Sequence, residues 1–147
     1  MPQLPLIPIA MLVAALAAIF ALAQQGVKGT GDLAWRAEQL LLKLIPPTGT
    51  GDIGEPTWFG LTIRRIAHIV EYAVLAAVAL VVACALQPTP LGRMGLALTI
   101  CFVASVADEA HKAFVPGRHF DAWDLCLDAL GYAPVICLWA AVVTLLG

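Results

Sequence analysis

Four apolar runs, each near the length that crosses a bilayer, leave this 147-residue chain few ways to fold. A hydrocarbon core asks for about 20 helical residues. Residues 4–23 meet that length without a charged side chain, and residues 63–86, 91–114 and 122–146 provide three further spans. The third is the most telling. Met94 to Ala107 alone is too short, so the helix must continue through Asp108, Glu109, His111 and Lys112 until Pro116 and Gly117 stop it. Ionisable groups are thereby forced to the membrane boundary, where they are expensive and signal function.

Composition agrees with that reading. Hydrophobic residues make up 61% and charged residues 12%, with a mean hydropathy of +0.91, whereas soluble domains run near about 45–50% and about 25%. The expected fold is all-α: a single transmembrane domain over residues 1–147, with four spans and an amphipathic interfacial helix between the first and second. Ala21-Leu22-Ala23 resembles a signal cleavage site, but no Lys or Arg precedes Lys28, so the first run is read as a retained helix. A net charge of −2 gives no reason to expect nucleic acid. Cys84, Cys101, Cys126 and Cys137 lie in apolar runs without short paired spacing, which reads as packing rather than disulfides or a thiolate metal site.

The interfacial helix is expected over residues 32–45, capped by Asp32. Leu33, Ala37, Leu40, Leu41, Leu44 and Ile45 recur at helical spacing, and Trp35 suits the headgroup level. Residues 46–51 follow as a turn-rich loop.

Polar faces appear at three span ends. Arg64, Arg65, His68, Glu71 and Tyr72 cluster on one side of the second span. Asp108, Glu109, His111 and Lys112 occupy the last turns of the third, where Asp108 with His111, and Glu109 with Lys112, sit one turn apart. Asp124, Asp128 and Gly131 form one face of the fourth, with Gly131 allowing close helix approach and Asp121 placed to cap. A four-span topology puts all three ends on one side of the membrane; the other side carries only Arg93 and the termini. Lys28, Arg36 and Lys43 favour a cytoplasmic polar side by the positive-inside rule. Several of the remaining cations are themselves site candidates, so orientation stays open.

The blocks Arg64-Arg65-Ile66-Ala67-His68-Ile69-Val70-Glu71-Tyr72 and Asp108-Glu109-Ala110-His111-Lys112-Ala113-Phe114-Val115-Pro116-Gly117-Arg118, followed by Asp121, Asp124, Asp128 and Gly131, resemble the VanZ-like membrane proteins. The resemblance implies a bacterial inner-membrane protein and a link to tolerance of teicoplanin-type glycopeptides. Its signature falls on Arg65, His68, Glu71, Tyr72, Asp108, Glu109, Pro116, Gly117, Arg118, Asp124, Asp128 and Gly131. Lys112 stands where the family pattern usually has Gln.

The leading expectation is binding or modification of a lipid-linked or anionic cell-envelope molecule. Arg64, Arg65, Lys112 and Arg118 would engage phosphate or carboxylate, with Tyr72, Asp124 and Asp128 completing the ligand site. His68, Glu71, Asp108, Glu109 and His111 would carry any acid–base chemistry. The alternatives are a non-catalytic salt-bridge network and a metal-dependent site built on His68-x-x-Glu71 and Asp108-x-x-His111. Four short spans without broken helices argue against a carrier, and a charge-lined pore would need polar groups on the plain side. Membrane lipids are the expected partners; the sequence specifies no cofactor and leaves oligomerisation open.

Overall fold

The structure, a computed structural model, describes residues 5–24, 27–51, 54–115 and 120–146, with the side chains of residues 23–24 and 27–34 outside that description. It is all-α apart from one short hairpin. The elements are α1 (Leu6–Gln24), α2 (Val27–Leu44), β1 (Gly49–Thr50), β2 (Pro56–Thr57), α3 (Ile63–Leu86), α4 (Pro90–Lys112) and α5 (Ala122–Leu146). Among the described residues, α3, α4 and α5 are long and apolar enough to cross a membrane, while Leu6–Leu22 of α1 forms a shorter apolar helix.

Small residues set how closely the helices pack. Ala76, Ala79, Ala83, Ala97, Cys101 and Ala104 are buried around Tyr72 and Leu75, and side chains of this size let helix backbones approach where lipid offers no hydrophobic drive for association. Gly131 is the tightest point, since a Cβ there would lie 2.3 Å from the Ile69 carbonyl oxygen and 3.1 Å from the Ala73 nitrogen. The expected close approach at Gly131 is therefore between α5 and α3. Helix α1 lies against α3 and α4 and contributes Ile19 to the core. Of the cysteines, only Cys101 is a core packing residue; Cys84, Cys126 and Cys137 are exposed, and all four are free. Apolar neighbours in sequence did not distinguish a core-facing cysteine from one on the outer surface of the bundle.

Two boundaries differ from expectation. Helix α2 begins at Val27, so Asp32 lies inside the helix rather than at its cap. A capping preference is worth only about 1 kcal/mol, too little to stop a helix that continues on both sides. Leu40 and Leu44 are exposed on α2 together with Trp35, and so are Arg36 and Lys43.

The second difference is that the loop after α2 is not merely a turn. Gly49 pairs with Thr57, and Thr50 with Pro56, in an antiparallel ladder. Trp58 is buried and its Nε1 donates to the Ile45 carbonyl at 3.1 Å, fastening the hairpin to the end of α2. Trp58 and Leu61 then exchange backbone hydrogen bonds of 2.9 and 3.0 Å around Phe59 and Gly60. Both central residues have positive φ, 54° and 78°, the requirement of a tight I′ hairpin turn.

The remaining ends are set locally. Thr89 caps α4, its Oγ1 accepting from the Gly92 nitrogen at 3.1 Å, with Pro90 in the first turn. Arg93 folds back to donate to the Gln87 and Pro88 carbonyls. Asp121 precedes α5 and its Oδ1 accepts from the Trp123 nitrogen at 2.9 Å, as expected of a cap.

Candidate functional site

Ser105, Asp108, Glu109 and Lys112 follow one another at spacings of three, one and three, which stacks them on a single face of α4. All four are buried. That face meets Asp124 and Asp128 of α5, also buried, and His68 of α3. Lys112 is the hub. Its Nζ lies 3.1 Å from Asp108 Oδ2 and 3.4 Å from Asp124 Oδ2, and it donates to Glu109 Oε1. An ammonium has three donors and no acceptor, so three carboxylates exhaust it.

A second set of contacts closes the network. His68 Nδ1 is 3.0 Å from Asp128 Oδ1, and Nε2 is 3.4 Å from Asp124 Oδ2. Ser105 donates to the other oxygen of Asp128 at 2.7 Å. Glu109 Oε2 accepts the Asp121 backbone N–H at 3.1 Å, tying α4 to the entrance of α5. Glu109 and Asp128 are each 0% exposed; carboxylates so placed require this kind of compensation.

Arg64 and Arg65 lie at the outer edge of the network. Arg64 has a side chain 58% exposed and reaches only 3.9 Å from Asp124 Oδ2; Arg65 is exposed, with no ion pair among the described residues. Both line a cleft of about 650 Å³. Its other walls are Glu38 of α2, Thr50, Glu55 and Thr57 of the hairpin, and Asp121 and Asp124 of α5. Asp124 is the junction, since it faces the cleft and also binds Lys112 and His68.

The other expected site residues fall in different places. Glu71 is half-buried and makes no hydrogen bond or ion pair among the described residues. Tyr72 is wholly buried in the core, its ring 6.5 Å from that of Tyr132 and its hydroxyl without a hydrogen bond of normal geometry among the described residues. His111 turns toward α1, edge-on to Phe20 at 6.0 Å, with Nε2 unpartnered among the described residues. His68 is thus paired with α5 rather than with Glu71 or Asp108, and Asp108 with Lys112 rather than with His111. Arg118, together with Pro116, Gly117 and His119, lies outside the described residues. Among the described residues no three His, Cys, Asp or Glu side chains are placed to hold a metal ion.

Sequence reasoning assigned no role to Ser105, although its register with Asp108 and Lys112 could have revealed it. Nothing in the Gly- and Thr-rich stretch signalled that Thr50, Glu55 and Thr57 would wall a cleft; only the strand pairing brings them there.

No curated protein and no solved structure matches the chain. A family model, VanZ/LLP1, matches residues 8–144 and so takes in α1 through nearly all of α5. With that match over nearly the whole length and three helices suited to crossing a membrane, the chain belongs to the VanZ/LLP1 family and is a membrane protein.

Proposed function

We propose that this protein is a four-span protein of the bacterial inner membrane, with α1 as the first span and α2 on the membrane surface, that binds an anionic lipid-linked or cell-envelope molecule. The observation that carries the reading is the cleft of about 650 Å³ beside Arg64 and Arg65. Arg64 and Arg65 are the two cations of walls that also carry Glu38, Glu55, Asp121 and Asp124, and their guanidinium groups on successive residues are the ones that would capture phosphate or carboxylate bidentately. The Thr62 side chain makes no capping hydrogen bond, so the first-turn N–H groups of α3 add to the same anion preference. In this reading the network around Lys112 is the non-catalytic salt-bridge framework that holds the cleft's walls together, because neither Lys112 nor a ring nitrogen of His68 is left over for a ligand. A role in tolerance of teicoplanin-type antibiotics would follow from sequestering or presenting an envelope precursor.

Native mass spectrometry of the purified protein tests this. Retained polyprenyl phosphate or anionic phospholipid in the parent, lost from the Arg64→Ala/Arg65→Ala variant along with any teicoplanin tolerance in cells, is the expected result. Equal retention of zwitterionic lipid, or retention that ignores the two arginines, overturns it.

A further inference from the structure

Phe59 is the most exposed large hydrophobic residue among the described ones, at 89%. It is also the sole non-glycine residue among them with positive φ. A bulky aromatic side chain is disfavoured in that region, yet the turn is firmly made. The Phe59 nitrogen donates to Thr48 Oγ1 at 2.7 Å, Thr48 Oγ1 donates to the Thr57 carbonyl at 3.3 Å, and the Trp58–Leu61 pair closes the loop. The turn after β2 therefore holds an unfavourable backbone in order to present a ring that touches little of the protein.

Its position says what the ring meets. Leu61, paired to Trp58, is two residues from the start of α3. Helix α3 has 24 residues, about 36 Å at 1.5 Å per residue, against a hydrocarbon core of about 30 Å. Its first turn thus stands near the headgroups, and Phe59 lies one tight turn away. Phe114 at the end of α4, with Phe120 and Trp123 at the entrance of α5, are exposed at the same end of the bundle; exposed Phe and Trp side chains of this kind suit burial at the headgroup–acyl boundary.

We propose that the tight turn closed by Trp58 and Leu61, which follows β2, is a membrane-inserted anchor, with the Phe59 ring lodged in the bilayer at the boundary between headgroups and acyl chains. The occupant of this surface is lipid. For the anion cleft, and resting on the function proposed above, the consequence is that its hairpin wall is pinned at the depth of lipid phosphates, so that it receives a ligand laterally from the membrane.

The test uses the full chain in lipid nanodiscs and needs no anion binding, so it fails or succeeds independently of the proposed function. In Phe59→Trp, the emission added over the parent is expected to be quenched by lipids brominated near the glycerol end of the chain and less by lipids brominated near the methyl end. Absence of quenching by either overturns the proposal. The unaltered protein gives a second measurement, with lipids carrying a photoreactive group high on the acyl chain. Labelling of the peptide around Phe59 is expected; labelling confined to α3, α4 and α5, or a cross-link at Phe59 to a second copy in place of lipid, overturns it. Phe59→Gly should raise the thermal midpoint in detergent, because glycine accepts positive φ, and a fall would mean that the ring serves protein packing instead.

Discussion

On one side of Gly131 the seam between α3 and α5 is filled by His68, Asp124 and Asp128, bonded to one another and onward to Ser105 and Lys112. On the other side the same helices leave an apolar groove of about 530 Å³ lined by Ala77, Leu80, Val81, Val135, Leu138 and Trp139. The contrast reflects what each half can exchange with its surroundings. A groove of apolar side chains can be filled by lipid at little cost, so it tolerates imperfect packing. Buried charges have no such substitute, and each must find its partner within the protein.

The substitution that should break this comparison most severely is Lys112→Met. It leaves Asp108, Glu109 and Asp124 without their shared cation and should destabilise the protein by about 3–5 kcal/mol, measured as reversible unfolding in mixed micelles. A loss below about 1 kcal/mol there, the range of an exposed ion pair, would mean the network is not what holds this end together. Gly131→Ala comes next. Its Cβ meets backbone at 2.3 Å, so helix separation should cost about 1–3 kcal/mol, and both halves of the seam should loosen in hydrogen exchange.

Smaller effects sharpen the contrast. Asp121→Ala removes the cap of α5 and should cost about 0.5–2 kcal/mol, with faster amide exchange at Trp123. On the apolar side, Leu138→Ala should change stability by no more than about 0.5 kcal/mol; a loss as large as that of Gly131→Ala would show that the groove is a packed interface with another protein surface.

Much of this organisation was legible in the chain because the bilayer is a strict ruler. The distance between Met94 and the Pro116-Gly117 stop forced Asp108 to Lys112 into helix, and α4 runs to Lys112. The spacing of Asp124, Asp128 and Gly131 placed them on one face, and the structure brings that face onto α3. Pairings were not legible. Helical periodicity says which residues share a side of one helix, but not which neighbour that side meets. His68 therefore went to α5 instead of Glu71, and His111 to α1 instead of Asp108. The hairpin was hidden for a different reason: strands of two residues are too short to show alternation, and Phe59 has no local preference for its turn.

In the proposed reading the polar end divides its labour: Lys112 and His68 serve the fold, and Arg64 and Arg65 serve the ligand. Thermal unfolding of the Arg64→Ala/Arg65→Ala variant, with and without a short-chain phosphatidic acid, tests it most directly. A ligand at 100 times its Kd stabilises the state that binds it by about 2.7 kcal/mol, so the parent's midpoint should rise on addition. The variant should match the parent's midpoint without ligand and show no rise with it. A variant that is already destabilised without ligand, or one that still gains the full shift, would contradict the account.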